Sequence, residues 1–299
     1  MSDEALFGGI EAGGTKFVCI LGSGPKNIIQ QARIATTTPE ETLGKVIKFF
    51  HTHIISSQID GIGLGVFGPA DINPNSPTYG HITSTPKPGW KDTDILGVLQ
   101  RALKVKMAID MDVNVAALGE FCWGASRGYD PSLYVTIGTG IGGGYIKDGK
   151  PMTGMLNLEL GHIRIPHTSE EDPFLGSCPF HGDCFEGLAS GPAIEKRLGI
   201  TGPTVRDSDA FWDLEARYIA LALLNYILVL SPSRIILGGG VMQREFLFPK
   251  IRRIVQELLN GYVVSPSVIE NIDDYIVPPG LGNRSGSLGA IALARLAQG

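Results

Sequence analysis

The pattern of hydrophobic and polar positions predicts an α/β protein. Short apolar runs rich in β-branched residues are typical of buried strands. Such runs occur at Leu6–Ile10, Lys16–Leu21, Gly61–Phe67, Lys106–Asp110, Leu133–Ile137 and Arg234–Leu237. One long segment, Asp71–Trp90, is rich in Pro, Asn, Ser and Gly and is predicted to be a loop. A loop of this length in a compact domain favours a binding role.

Helices are predicted where apolar residues recur at helical spacing. The clearest start has Thr38 as cap, Pro39 at the first helical position and Glu41 three residues after the cap. This helix is predicted to end near Ser56. Further helices are predicted at Thr93–Leu103, Asp207–Leu230, Gln243–Leu259 and Ser287–Gln298.

A strand, glycine turn and strand occur twice in the chain. The first set surrounds Glu11–Thr15, and the second consists of Leu133–Ile137, Gly138–Gly143 and Gly144–Ile146. Two similar lobes around a central cleft would explain the repeat, and two unrelated hairpins are the alternative. The two-lobe interpretation places residues 1–111 in an N-terminal lobe and residues 112–286 in a C-terminal lobe. The last helix, about 287–299, is then expected to pack back on the N-terminal lobe.

Composition narrows the possible functions. The chain has 299 residues and a formal net charge of −5. It lacks the basic run that a nucleic-acid scaffold would need. The opening MSDEALFGGIE does not resemble a signal peptide, and the apolar segment Ala216–Leu230 is too short to span a bilayer. We therefore expect a cytoplasmic protein. Its four cysteines are too few for a disulfide scaffold in a chain of this length.

Three glycine-rich turns are candidate phosphate sites, because backbone N–H groups can approach a phosphate where side chains are absent. They are Glu11–Lys16, Gly138–Gly144 and Gly238–Val241. Glu11 could hold Mg²⁺ in the first turn, and Thr15 adds a hydroxyl donor. Plain hairpin or βα turns are the alternatives. A dinucleotide fingerprint at Gly138–Gly143 is disfavoured, because a strand rather than a helix follows it.

Asp112 is the candidate general base. It follows the predicted strand Lys106–Asp110 and precedes a helix, where its carboxylate could accept the proton of a substrate hydroxyl. A carboxyl with an ordinary pKa near ~3.9 is ionised at neutral pH. The alternative is that Asp112 is only a helix N-cap.

The segment around residues 178–184 predicts a structural zinc site. Cys178, His181 and Cys184 have Cys-x₂-His-x₂-Cys spacing, and His162 lies upstream. Together they form the closed Cys₂His₂ set that Zn²⁺ prefers. His167 is a competing fourth ligand, and two buried cysteines with two surface histidines are the alternative to a metal site.

Taken together, these motifs resemble the ROK family of repressors and bacterial sugar kinases, and within it the fructokinases. The resemblance covers nearly the whole chain, and the zinc segment is its most specific part. Its carriers are Glu11–Lys16, Gly65–Asp71, Asp112–Glu120, Gly138–Gly144, Glu159–His162, Cys178–Glu186 and Gly238–Val241.

The resemblance implies an actin-like ATPase (ribonuclease H-like) fold and a kinase that uses ATP, Mg²⁺ and Zn²⁺. Asp112 becomes the base that activates a hydroxyl of a free hexose. The implied sugar-binding residues are Gly68, Asn114, Glu120, Glu159, His162 and Glu186. The implied ATP-binding residues are Gly13, Gly14, Thr15, Lys16, Thr139, Gly140, Gly238, Gly239 and Gly240. A homodimer is also implied by the resemblance, whereas the expectation that the protein binds neither nucleic acid nor membrane rests on its charge and hydropathy.

Two departures from the family pattern bear on the sugar. Glu11 stands where aspartate is common, and His181 occupies a ligand place that glucokinase-like members give to cysteine. With Pro86–Trp90, these residues resemble the fructokinase branch, so phosphorylation of fructose at the 6-hydroxyl is expected. Glucose, mannose or an amino sugar is the alternative substrate. A sugar-responsive repressor would need a helix-turn-helix ahead of Glu11, and a non-catalytic sensor would not need Asp112.

Overall fold

The computed structural model describes residues 5–54, 59–85, 87–200 and 204–298. The chain divides into two compact units, one of Met1–Arg127 with Asn283–Gly299 and the other of Gly128–Gly282. The division follows Arg127, whereas the sequence pattern placed it after Met111. The predicted helix end at Ser56 and the residue Pro86 lie outside the described residues.

The first unit is built on a five-stranded sheet of order β3-β2-β1-β4-β7. β1, β2 and β3 are antiparallel neighbours, and β4 and β7 continue the sheet parallel to β1. The elements are β1 (Phe7–Ala12), β2 (Lys16–Gly24), β3 (Asn27–Ala35), α1 (Pro39–Ile54), β4 (Gly61–Val66), β5 (His81–Ile82), β6 (Thr93–Asp94), α2 (Ile95–Leu103), β7 (Met107–Met111), α3 (Asp112–Trp123) and α10 (Ser285–Leu296).

Close packing of α10 fixes the position of α3 in this unit. α10 lies against both α3 and the strands β1 and β4. At Gly289 the α3 backbone comes so near that any Cβ would overlap the carbonyl oxygen of Val115. The last helix of the chain therefore helps to hold the helix that begins with Asp112.

The second unit has a five-stranded sheet of order β10-β9-β8-β11-β12. β8 pairs antiparallel with β9 and parallel with β11, which is the arrangement of β1 with β2 and β4. The elements are β8 (Ser132–Ile137), β9 (Ile141–Lys147), β10 (Lys150–Pro151), α4 (Phe185–Ala189), α5 (Gly191–Leu198), α6 (Phe211–Leu230), β11 (Arg234–Gly238), α7 (Leu247–Leu259), α8 (Pro266–Ile269), α9 (Ile272–Tyr275) and β12 (Ile276–Val277).

Each unit has its own apolar core. The first core includes Ile10, Phe50 and Trp90, all fully buried. The second core is centred on α6, with Trp212 and Ile219 among its buried residues. Because α6 is buried over most of its length, its apolar sequence serves the core, as expected for a segment too short to span a membrane. No helix among the described residues is long and apolar enough to cross a bilayer.

Several predicted boundaries differ from the structure. β9 begins at Ile141 rather than Gly144, so the glycine turn is only Gly138–Gly140. Gly143 belongs to the strand, where a Cβ would lie 2.6 Å from a methyl carbon of Leu160. The predicted loop Asp71–Trp90 contains the short strand β5, which pairs with β6.

Helices α2, α6 and α7 start later than predicted, and several elements were not predicted. α6 starts at Phe211 rather than Asp207, and α7 starts at Leu247 after a 3-10 turn at Val241–Gln243. β3 and α5 had no assignment in the sequence analysis. α5 is short and starts with Gly-Pro, which gives a weak helical pattern in the sequence.

Candidate functional site

The first glycine turn, Gly13–Thr15, joins β1 to β2. The N–H of Gly13 donates to the carbonyl of Lys16 at 3.0 Å, and the hydroxyl of Thr36 donates to the carbonyl of Gly13 at 2.7 Å. Gly14, Thr15 and Lys16 are exposed. A Cβ at Gly14 would meet no atom within 4 Å among the described residues. The turn is therefore held from one side and open on the other.

Glu11 lies on β1, two residues before Gly13. One of its carboxylate oxygens, Oε2, is buried and has no hydrogen-bond partner among the described residues. Burial raises the pKa of Glu11, although the charge of Lys16 and a hydrogen bond from the Ser287 backbone oppose the rise. A buried carboxylate oxygen without a partner is costly, and a bound cation would remove that cost.

Asp112 is the first residue of α3. The N-cap is Met111, so Asp112 is not the cap, although its Oδ1 accepts from the N–H of Val113 at 2.9 Å. Burial raises the pKa of Asp112 to about 7, and the negative charge of Glu11 adds to the rise. A carboxyl that titrates near neutral pH suits a general base.

Asn114 lies two residues after Asp112 on α3 and is buried. Its side-chain amide donates to Oδ1 of Asp110 at 2.7 Å, and the same oxygen accepts from the N–H of Met111 at 2.7 Å. Asp110 thus holds the start of α3 through two bonds. Gly68 follows β4 and packs near the end of the Met111 side chain, so that a Cβ there would lie 2.5 Å from the methyl carbon.

Glu120 is fully buried at the far end of α3. Its Oε1 accepts from the hydroxyl of Ser285 at 2.6 Å, and its Oε2 accepts from the N–H of Ala125 at 2.7 Å. Both carboxylate oxygens are thus bonded inside the first unit. This geometry favours a structural role for Glu120 over the predicted contact with a sugar.

The second glycine turn, Gly138–Gly140, joins β8 to β9. The N–H of Gly138 donates to the carbonyl of Gly140 at 2.9 Å, and the N–H of Gly191 donates to the carbonyl of Gly138 at 2.7 Å. Glu186 holds the turn from another side, because its Oε2 accepts from the N–H of Ile141 at 2.9 Å. Thr139 is exposed at the tip.

The third glycine segment, Gly238–Gly240, borders a cavity together with the second turn. The cavity has a volume of about 510 Å³. It is lined by Gly138, Thr139, Gly191, Ile194, Glu195, Trp212, Gly240, Val241, Gln243 and Arg244. The Arg244 guanidinium lies over the Trp212 ring at 4.4 Å from its centroid, so one wall is a flat stacked surface.

Most lining residues of this cavity were not predicted as site residues. They come from α5, α6 and the 3-10 turn after β11, which are far apart in sequence. Each taken alone is an ordinary helix residue in the sequence. Only the fold brings them beside the two glycine segments.

The four predicted zinc ligands converge in the second unit. One ligand atom from each of His162, Cys178, His181 and Cys184 lies within 4.8 Å of the others. Cys178 and Cys184 are buried and His181 is exposed. Two sulfur and two imidazole nitrogen donors at this spacing fit a tetrahedral Zn²⁺ ion.

His167 does not join this group. Its Nε2 lies 3.0 Å from the carbonyl of Asp172, and its Nδ1 lies 3.4 Å from a carboxylate oxygen of Asp183. These contacts favour His162 over His167 as the fourth ligand. Glu159 is exposed and directly precedes the 3-10 turn Leu160–His162, which carries the ligand His162.

Comparison with known proteins identifies the class. The sequence profile of the ROK family matches residues 7–297, so the chain belongs to the ROK family. The family predicted from the motifs is thereby confirmed. The structure is similar to that of the ROK hexokinase from Thermus thermophilus, with a TM-score of 0.79, 25% identity and coverage of 98% of this chain and 99% of that one. The chain thus has the actin-like ATPase fold of these proteins.

Relatives in the same family carry more specific names. The chain is 45% identical to the fructokinase of Pediococcus pentosaceus, over 98% of both chains. It is 41% identical to the fructokinase of Zymomonas mobilis, over 99% of both chains. It is also similar to a ROK family glucokinase from Streptomyces griseus, solved with glucose and AMPPNP, at 25% identity, a TM-score of 0.76 and coverage of 99% and 100%.

Proposed function

We propose that this protein is an ATP-dependent fructokinase that phosphorylates the 6-hydroxyl of fructose. The observation that carries the proposal is Asp112, a carboxyl at the start of α3 whose pKa is raised to about 7 beside the carboxylate of Glu11. The choice of fructose is supported by the names of relatives that are 41–45% identical over nearly the full chain.

ATP is the phosphoryl donor in this proposal. The cavity beside Gly138 and Gly240 accommodates the nucleoside, with the stacked pair Trp212 and Arg244 as a platform for a base. The adjoining turn N–H groups are suited to phosphate oxygens. The residues proposed to contact ATP are Gly13, Gly14, Thr15, Lys16, Thr139, Gly140, Gly238, Gly239 and Gly240.

Asp112 acts as the general base. A carboxylate oxygen of Asp112 accepts the proton of the attacking hydroxyl as the new P–O bond forms. The bond between the γ-phosphorus and the β-phosphate oxygen breaks at the same time, and ADP is released. Asp110 and Asn114 support this step, because their hydrogen bonds fix the start of the helix that carries Asp112. Positioning of this kind supplies much of the acceleration in phosphoryl transfer.

Glu11 is proposed to hold Mg²⁺ directly or through water. Its unpartnered buried oxygen and its oxygen-donor chemistry fit a hard cation. Mg²⁺ bound to ATP neutralises charge that develops on the phosphate oxygens.

His162, Cys178, His181 and Cys184 are proposed to hold a structural Zn²⁺ ion. When bound, the ion would crosslink the chain segments that carry these four residues.

Sugar contacts are proposed for Gly68, Asn114, Glu159, His162 and Glu186. A homodimer is proposed from the family resemblance.

The test is ADP release from purified protein with a panel of free hexoses, with and without a chelator. The expected result is the highest kcat/KM with fructose and complete loss of activity in EDTA that is restored by Mg²⁺ and Zn²⁺ together. If glucose, mannose or an amino sugar gave the highest kcat/KM, the enzyme class would stand and the sugar would be wrong. Absence of ADP release with every sugar would contradict the kinase itself.

A further inference from the structure

We infer that Glu186 is a positioning residue for the second glycine turn, and that the metal cluster acts on nucleotide affinity through it. This role goes beyond the sugar contact proposed for Glu186. It rests on the proposed functions of Gly138–Gly140 in nucleotide binding and of the Cys₂His₂ group in metal binding. The argument depends on how two segments hold Ile141, the residue that follows the turn.

One segment holds Ile141 by its N–H group. Oε2 of Glu186 accepts this N–H at 2.9 Å. The same oxygen lies close to Gly140, where a Cβ would be only 2.8 Å away. Gly140 is therefore required for Glu186 to reach the backbone, which gives this glycine a function besides any contact with phosphate.

The other segment lies against the carbonyl group of Ile141. At Gly161 the two backbones are so close that a Cβ would overlap the Ile141 carbonyl oxygen. Gly161 is the middle residue of the 3-10 turn Leu160–His162. The peptide groups on both sides of Ile141 are thus fixed by different parts of the chain.

Both holding segments carry metal ligands. His162 directly follows Gly161, and Cys184 lies two positions before Glu186, at the N-cap of α4. Because His162 and Cys184 belong to the same cluster, a bound metal fixes the distance between the two segments. The metal therefore sets how firmly Ile141, and with it the turn Gly138–Gly140, is held.

This arrangement links two equilibria. A nucleotide that uses the N–H groups of the turn binds more tightly when the turn is already ordered, because less conformational freedom is lost on binding. By the same linkage, bound nucleotide must raise the affinity for the metal. Removal of the Glu186 carboxylate should break most of this linkage.

The experiment measures binding of Mg·ADP without sugar by titration calorimetry. It compares wild type, Glu186→Ala and Glu186→Gln, each with and without Zn²⁺. Loss of one hydrogen bond predicts about tenfold weaker ADP binding for Glu186→Ala. Glu186→Gln should stay within about threefold of wild type, because its amide oxygen can still accept the N–H of Ile141. Removal of Zn²⁺ should weaken ADP binding more in wild type than in Glu186→Ala.

The outcomes separate this inference from the proposed function. If wild type bound no ADP at all, the kinase proposal would fail. If wild type and Glu186→Ala bound ADP equally while only fructose affinity fell, Glu186 would be a sugar contact alone and the positioning role would be wrong. Exposed Glu257→Ala on α7 is the control, and circular dichroism checks that each variant is folded.

If Glu186→Ala did not fold, wild type alone would decide. Folded metal-free wild type that bound ADP as tightly as the zinc-loaded form would overturn the inference. A weakening of ADP binding that is matched by an equal ADP-dependent gain in zinc affinity would support it.

Discussion

The two glycine hairpins of this molecule share a framework but differ in chemistry. Each joins the central strand of a five-stranded sheet to an antiparallel neighbour, and each central strand also pairs with a parallel one. Glu11 pairs with Gly65 in the first sheet, and Thr136 pairs with Gly238 in the second. Glu11 and Thr136 each lie one residue before the end of their strand. An acid with one buried carboxylate oxygen therefore stands where the other hairpin has a neutral hydroxyl.

The hairpins are also held in different ways. Thr36, which follows β3, donates to Gly13 in the first hairpin. Glu186, which follows the metal cluster, accepts from Ile141 in the second. In the proposed mechanism both glycine turns contact ATP, but the first unit also carries the carboxylates Glu11 and Asp112, whereas the second carries the cavity beside Gly138 and Gly240. We propose that the residue at the strand end and the segment that supports the turn set the different roles of the two hairpins.

The most severe test of this division of roles is Asp112→Asn. If acid–base chemistry belongs to the first unit, kcat should fall by about 10²–10⁴-fold while Mg·ADP binding is unchanged. The measurement is coupled ADP release with saturating fructose, alongside calorimetry with ADP. Exposed Asp92→Asn in the same unit is the matched control. Turnover within a few-fold of wild type would remove Asp112 from the mechanism.

The second test concerns the support of the second hairpin. Cys184→Ser should abolish stoichiometric zinc, because a hydroxyl is a poor replacement for a buried thiolate ligand. We expect the melting temperature to fall by on the order of 5–10 °C, because a structural metal contributes its binding free energy to folding. Metal analysis and thermal unfolding measure this, with Cys122→Ser as the control. Unchanged zinc content would contradict the ligand set.

A third test separates structure from sugar contact in the first unit. Glu120→Ala leaves the Ser285 hydroxyl and the Ala125 N–H without their acceptor. The free energy of unfolding should fall by about 2–4 kcal/mol, while the KM for fructose stays near the wild-type value in the folded fraction. Denaturant unfolding and steady-state kinetics provide the two numbers. A large rise in KM with little loss of stability would restore the predicted sugar contact.

The smallest expected effect is a shift along the pH axis. With the pKa of Asp112 raised to about 7, kcat/KM should decrease as pH falls below 7, because the base becomes protonated. Glu11→Gln removes a negative charge that helps to raise this pKa, so the acid limb should move to lower pH. Glu40→Gln on α1 is the control. An acid limb that did not move would show that Glu11 does not influence Asp112.

Much of the framework could be predicted from the sequence, because its signals are local. The capped helix at Pro39 and the repeated glycine turns depend on neighbouring residues, and both occur in the structure. The metal ligands also cluster locally, apart from His162, and they converge as the spacing indicated. Family membership followed from the order of these motifs.

The parts that could not be predicted depend on contacts between distant segments. Nothing next to Glu120 in the sequence indicates that Ser285 will bind its carboxylate. Similarly, the stacked pair Trp212 and Arg244 arises only when α6 meets the turn after β11. The raised pKa of Asp112 is also a product of burial, whereas the sequence suggested an ordinary carboxyl.

The path of the chain through the two units has a consequence for synthesis. The second unit, Gly128–Gly282, is one continuous stretch, but the first needs Asn283–Gly299 as well. On the ribosome the middle of the chain can therefore finish folding before its beginning does. The helix that starts with Asp112 packs against α10, so the proposed base gains this support only after residues 285–296 have been synthesised.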